Sequence, residues 1–501
     1  MVFALGVVWA QDNTPASDSQ TPQAPVPAYG QESRPSAPIS ENPPLSGQDL
    51  PSLQEHAAPL SYLQPGATFS ESLTTNAGNT PGGNTVGSIT RGIGTLALRR
   101  LWSHYDLALD YMGGAAYYQK GGLGWKVLQD VGIAQKIEWK RGQLSLRDNF
   151  SYLPEGNFGA SYGSLGSLGI AGMENGPLLS LGGGGGLGAL GLTPRIMNVS
   201  SAEISENLNP RSAVTAAGGY SFTHFYGTDE VTGASFVGSS QISAQAGYNR
   251  LLTPHTQIAA VYGYQAFDFS VVGTAFHTHV IQGMVGHRIS GRMDMLLGAG
   301  PQFTFIDTQS AVCSDPNVPL LFCQPPFATL LPVTIKNTKT GVAATARLRY
   351  QFTKDSLDLR YRRFETSGGG LFTGAQSDVI RLQLEHPLSR KWSLSTDIGY
   401  AHNDRLQPLT ETQILACGAQ ISQGSRTACP ANDATTYSYG YAGAALHRYF
   451  SREWHGFVSY QFNELSFDHS FCLSGAACNR IGNRQLVTFG LDWRPRPIRL
   501  D

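Results

Sequence analysis

Four arginines fall on one face of a candidate hairpin: Arg347 and Arg349 on its first arm, Arg360 and Arg362 on its second. Side chains two apart share a face of an extended strand. A turn centred on Lys354–Asp355 predicts Arg349 opposite Arg360 and Arg347 opposite Arg362. Like charges directly across a sheet are unfavourable, so this cluster calls for water, counter-charges or an anionic ligand. Arg381 on the following arm extends it, and Asp358, Glu385 and Glu155 are the candidate counter-charges. Two readings stay open. One is a basic wall that draws anionic groups along a passage. The other is mutual salt bridging that only keeps a polar interior wet.

Enzyme chemistry has little support. Gly159-Ala160-Ser161-Tyr162-Gly163 fits GxSxG, but a nucleophile elbow needs a strand, a sharp turn and a helix. This match lies in a glycine- and serine-rich stretch, where it arises by chance. His224 and His447 are candidate bases, and nothing places either near Ser161. His277 and His279 share a face, yet two ligands without a third are weak metal evidence. Gly182–Gly186 lacks the following Lys-Ser/Thr and helix of a phosphate loop. The expectation is no catalytic residue, no metal and no cofactor.

The elements that position the arginines repeat along the chain. Val342, Ala344, Ala346, Leu348, Tyr350 and Phe352 alternate with Thr345, Arg347, Arg349, Gln351 and Thr353. After the turn, Leu357, Leu359 and Tyr361 alternate with Asp358, Arg360 and Arg362. Such period-two pairs, with short polar turns inside and longer loops between, run from about residue 66 to 494. Alternation puts one face against something apolar and the other against something polar. The count comes to about eighteen strands. An even number returns both ends to one side. The strands run well beyond the usual five or six residues, and no repeated motif marks a propeller blade. The fold class is therefore all-β: a transmembrane antiparallel up-and-down β-barrel of about eighteen strands.

Composition agrees. The 501 residues include 58 glycines and carry a net charge of −1, which gives no support to nucleic-acid binding. Residues 1–10 end Val-Val-Trp-Ala and read as the remnant of a secretory signal. Residues 11–64 hold ten of the 28 prolines, with many Ser and Gln, the composition of a disordered tether. Residues 65–494 are assigned to the barrel and 495–501 to a short tail. The cysteines fall in the longer loops as the pairs Cys313/Cys323, Cys417/Cys429 and Cys472/Cys478. No CxxC occurs, so three local disulfides in an oxidising compartment are expected. Trp102, Trp139, Trp392, Trp454 and Trp493 all fall at tight-turn ends of strands, as a girdle at a membrane–water interface would. Phe267, Phe269, Phe303, Phe305 and Phe467 are candidates for the opposite belt.

With the signal-like start, alternating strands, short turns, tryptophan girdle and closing strand Leu486–Trp493, the chain resembles the porin-like outer-membrane β-barrels of diderm bacteria. The resemblance covers most of the chain, though Arg494–Asp501 follows where the family often ends on an aromatic residue. It implies integral residence among outer-membrane lipid, with residues 11–64 in the periplasm. It also implies passive diffusion of small polar or anionic solutes. A dedicated export barrel, for example for a polysaccharide, reaching a periplasmic partner through 11–64 is the alternative. A structural or adhesive surface barrel is a third. The insert 156–196, with fourteen glycines including Gly182 and Gly186, would be the third external loop. By resemblance it narrows the lumen, with Glu155 at its start; a surface loop is the rival reading. Oligomeric state stays open.

Overall fold

The computed structural model describes residues 61–76, 86–119, 124–153, 194–226, 237–269, 273–314, 330–352, 355–368, 372–407, 435–467 and 481–500. The secretory assignment, residues 11–60 of the tether, residues 156–193 of the insert and the GxSxG match lie outside these residues; the last residues assigned to the tether and to the insert instead begin strands, at Tyr62 and Arg195. The strands are β1 (Tyr62–Thr75), β2 (Val86–Leu101), β3 (Tyr105–Tyr118), β4 (Gly124–Trp139), β5 (Gly142–Leu153) and β6 (Arg195–Asn209). Next come β7 (Ser212–Phe225), β8 (Ser239–Thr253), β9 (Thr256–Phe269), β10 (Thr274–Ser290), β11 (Met293–Cys313) and β12 (Leu330–Gln351). The circuit ends with β13 (Ser356–Thr366), β14 (Ala375–His386), β15 (Trp392–Arg405), β16 (Thr436–Tyr449), β17 (Trp454–Phe467) and β18 (Ile481–Trp493). Each pairs antiparallel with its sequence neighbours, and β1 pairs with both β2 and β18. The sheet is thus a closed barrel of eighteen strands. A two-residue β19 (Ile498–Arg499) adds to the start of β1 beyond β18.

Closure follows from backbone hydrogen bonding. Strands bordering hydrocarbon cannot leave an edge unpaired, and a barrel has no edge. Alternation then divides the residues between two faces. On β1, Thr68, Ser70, Ser72 and Thr74 are buried, while Phe69 and Leu73 are exposed. On β11, Asp294, Gln302 and Thr304 are buried, while Leu297, Phe303 and Phe305 are exposed. The exposed face is apolar and the enclosed face rich in hydroxyls, amides and charges, the inverse of a water-soluble protein.

The enclosed face is not polar throughout. Ile89, Ile93, Met112, Ala116, Tyr118 and Leu128 form an apolar cluster on β2–β4. Phe267, Phe269, Phe276, Ile306 and Leu406 form another. This corrects the expected phenylalanine belt: Phe267, Phe269 and Phe467 are 2%, 0% and 2% exposed. They share the parity of the inward-facing residues of their strands. Phe303 and Phe305 do face outward.

The cysteines also depart from expectation. Cys313 is the last residue of β11 rather than part of a loop. β11 and β12 run 21 and 22 residues, about twice what a membrane strand needs. Their hairpin therefore extends past its neighbours and takes Cys313 into the sheet. Cys313 is disulfide-bonded, while the pairings expected for it with Cys323, and Cys417/Cys429 and Cys472/Cys478, are not shown. Cys323, Cys417, Cys429, Cys472 and Cys478 all lie outside the described residues.

Pro301 interrupts the ladder. It lacks an N–H, and the β10–β11 register skips the level of Ile281–Gln282 opposite Gly300–Pro301. A Cβ on Gly300 would lie 1.7 Å from the Ile281 carbonyl oxygen. Gly300→Ala is expected to cost about 1–3 kcal/mol, as overpacking does. Gly92→Ala, with nothing within 4 Å of its Cβ, should be neutral. Heating until the folded barrel loses its compact gel mobility compares the two; equal midpoints would contradict the close approach.

Candidate functional site

The predicted arginines all lie on the inner face, but in a different register. Arg347 stands opposite Arg360, Arg349 opposite Asp358 and Thr345 opposite Arg362. The turn closes one residue earlier than expected, with Phe352 N donating to the Asp355 carbonyl. The shift preserves which face each residue occupies and replaces one arginine–arginine pair with an arginine–aspartate pair.

Asp358 is the centre of the cluster. Arg347 Nη2 lies 2.6 Å from its Oδ2, and Arg360 Nε lies 2.7 Å from its Oδ1. The Arg347–Arg360 juxtaposition is thereby bridged by one shared carboxylate. Arg349 reaches back to Asp294 on β11 at 2.6 Å. Arg381 pairs with Asp397 on β15 at 2.5 Å, and Gln383 and Tyr441 also donate to Asp397. Asp294 and Asp397 are 3% and 5% exposed. Among the side chains described in this cluster, five guanidiniums (Arg347, Arg349, Arg360, Arg362, Arg381) face three carboxylates (Asp294, Asp358, Asp397), a surplus of two positive charges among them. Half the circumference away, β3 and β4 carry Asp110 and Asp130 on the inner face, and Asn149 donates to Asp130 at 3.1 Å. Glu385 lies on β14 opposite Ser356; its side chain, like Glu155, Gly182 and Gly186, is outside the described residues.

The second component is an inward-folded hairpin. β12 and β13 part company above Ala344 and Arg363, while β13 stays paired with β14 up to Thr366 and Ala375. β12 meanwhile continues along β11 to Leu330. The end of β13 therefore leaves the wall on the β12 side, while β14 stays paired with β15 from Ala375 to His386. Glu365 shows where it goes: its carboxylate accepts hydrogen bonds from Thr278 on β10 and, at 2.5 Å, from Thr304 on β11. Both threonines belong to the inner face, and Glu365 is 3% exposed.

The returning strand reaches the other way. Phe372 is fully buried, 5.1 Å from the Tyr437 ring of β16, with the Arg405 guanidinium 4.7 Å over it. Leu406 N donates to the Gly374 carbonyl at 3.1 Å. Gly368 and Gly374 have φ of +78° and +97°, angles that glycine adopts without penalty. A Cβ on Gly374 would also fall 2.6 Å from Phe276. The hairpin is thus a shelf inside the barrel, held between β10–β11 and β15–β16. Sequence reading missed it, together with Asp294, Asp397 and Glu365. The available signal was Thr366-Ser367-Gly368-Gly369-Gly370, a turn too flexible in composition for an ordinary short loop.

The tryptophans lie where the turns predict. Trp102, Trp139 and Trp454 are exposed. Trp454 and Trp493 pack at 6.5 Å, Trp139 Nε1 donates to Glu206 at 2.7 Å, and Arg448 sits 5.1 Å over Trp392. His277 and His279 face outward among Tyr262, Tyr264 and Phe305. Among the described residues no cysteine is free and no cluster of three or more His, Cys, Asp or Glu could hold a metal.

No protein-family model and no curated protein matches the chain. Solved structures of low identity are similar in fold. The open form of the ferric-catecholate import receptor Fiu from E. coli K12 is 8% identical, with a TM-score of 0.43 over 86% of this chain and 81% of that one. OccK2 (OpdF) from Pseudomonas aeruginosa is 11% identical, with a TM-score of 0.38 over 86% and 98%. The outer membrane protein opdK from the same organism is 10% identical, with a TM-score of 0.36 over 86% and 98%.

Two outcomes follow from this geometry. Asp358→Asn leaves Arg347 and Arg360 facing each other without their shared carboxylate. It should destabilise the barrel by about 3 kcal/mol, the lower end for a broken buried pair, in denaturant unfolding; no change would contradict the shared bridge. Glu365→Ala frees the shelf from β10–β11, and spin labels on β13 near residue 364 should gain mobility. An unchanged lineshape would contradict the anchor.

Proposed function

We propose that this chain is an outer-membrane channel of a diderm bacterium through which small polar or anionic solutes diffuse passively. The observation that carries this reading is the inverted barrel, apolar outside and polar within, with an arginine-rich inner wall beside an inward shelf. An eighteen-stranded barrel is wide enough for an aqueous passage. The shelf narrows it on one side. The surplus of positive charge favours anions at the constriction, while the paired aspartates keep the arginines extended and ordered. Both earlier readings of the cluster then hold together: the salt bridges position the guanidiniums, and the excess sets the sign of the field.

In this reading the tight turns with their tryptophans face the periplasm, and residues 11–61, ahead of β1, form a tether there that can reach a periplasmic partner. The pairs Cys313/Cys323, Cys417/Cys429 and Cys472/Cys478 brace the external side, and 156–196 is a second candidate constriction.

Refolded protein in a planar bilayer tests the proposal. Steady unitary conductance with anion preference is expected. Converting Arg347, Arg349, Arg360 and Arg362 to Gln turns five positive charges against three negative into one against three. The reversal potential in a salt gradient should move to the cation-selective side; an unmoved potential would remove the arginine wall from the mechanism. A folded barrel that passes no current would overturn the channel reading.

A further inference from the structure

Gly132 on β4 leaves a gap in the inner wall across the lumen from the arginine cluster. It pairs with Asp110 on β3 and with Asn149 on β5. Asp130, two residues along β4 on the same face, pairs with Ser151 on β5. Side chains directly across a sheet have Cβ atoms about 5 Å apart. With no side chain at Gly132 to separate them, two carboxylates, an amide and a hydroxyl border one patch of bare backbone.

This patch is rich in acceptors and short of donors. Asp130, Asn149 and Ser151 are 2%, 8% and 0% exposed. The Asn149 side-chain amide donates to Asp130 Oδ1 at 3.1 Å. Asp130 Oδ2, Asn149 Oδ1 and Ser151 Oγ are buried and have no hydrogen-bond partner. Asp110 is half-buried, which leaves the patch open to the lumen on its side. Nearby cations are committed to other carboxylates. Arg99 on β2 is held by Asp106 at 2.5 Å, and Lys136, farther along β4, by Glu138. A buried carboxylate without a counter-charge is strongly unfavourable, so the patch calls for a cation.

The donor set indicates which one. All four groups offer oxygen, and none offers the imidazole or thiolate that zinc and copper prefer. Calcium accepts carboxylate, carbonyl and water oxygens in an adaptable geometry, whereas magnesium demands a near-regular octahedron and gives up its waters reluctantly. Oxygens fixed by strand register, rather than by a purpose-built loop, suit the more adaptable ion. We propose that Asp110, Asp130, Asn149 and Ser151 form a calcium site on the inner wall, with lumen water completing the coordination. The proposal needs a wet lumen but does not rest on the channel reading. Bound calcium would cancel the two negative charges on this side, leaving the arginines opposite to set the field.

Calorimetric titration of the detergent-folded full chain, stripped with EDTA, tests this with calcium chloride and then magnesium chloride. Saturable calcium uptake is expected, with magnesium binding at least tenfold more weakly. Asp110→Asn/Asp130→Asn should weaken calcium uptake at least tenfold. In EDTA the double variant should melt no lower than wild type, because the charges it removes are uncompensated there. Calcium should raise the melting midpoint of wild type and not that of the variant. Asp110→Asn alone, at a half-buried position, covers the case in which the double variant does not fold, and it should also bind calcium more weakly. Absence of calcium uptake, the result if Arg147 beside Asn149 on β5 already neutralises the pair, overturns the site. Undiminished uptake by the variants places calcium elsewhere and overturns it as well. Magnesium binding as tightly as calcium overturns the choice of ion.

Discussion

The structure depends on one constraint: every backbone N–H and C=O of a strand bordering hydrocarbon must find a partner within the sheet. Closure through β1 and β18 meets it, and the rest follows. A closed sheet has only two faces, and period-two alternation assigns every residue to one of them. The outer face must be apolar where it meets lipid, as Phe69, Leu297 and Ile398 are. The inner face then collects the polar residues that soluble proteins place outside. Even Pro301 and Gly300 are intelligible on these terms, because the lost donor is absorbed by a local break in the ladder rather than by a free edge.

Charge on the inner wall obeys a second constraint. A guanidinium held near a sheet needs a counter-ion within reach, and side chains two apart or one strand across supply it. Asp358 serves Arg347 and Arg360, Asp294 serves Arg349, and Asp397 serves Arg381. The network orders the arginines without neutralising them. The shelf uses neutral donors instead: Glu365 is held by two threonine hydroxyls from β10 and β11. The two devices set a charged strip beside an anchor made of hydroxyls.

Much of this was legible in the sequence, for a physical reason. Alternation is local, so strands, faces and turns could be read directly, and the arginines were correctly assigned to one polar face. Register was not, because moving a two-residue turn by one position slides the arms without exchanging faces. Arg349 therefore met Asp358 rather than Arg360. The shelf was invisible for a different reason. Whether β13–β14 stays on the wall is decided by contacts with Thr278, Thr304 and Tyr437, which lie about 60 to 90 residues away in sequence. Phe267, Phe269 and Phe467 were misassigned because an aromatic at the long-loop end of a strand suits either a lipid belt or a dry inner cluster. Parity within the strand, with Gln265 inward, was the signal that settles it.

The central claim is that adjacent residues on one strand face lipid and water in turn. Spin labels introduced singly by Thr345→Cys and Ala346→Cys on β12, with the protein in liposomes, test it most directly. Power saturation should show the label at 345 relaxed by a water-soluble nickel chelate and the label at 346 relaxed by oxygen dissolved in the bilayer. Equal access of the nickel chelate to both positions would place water on both faces of the sheet and contradict the account.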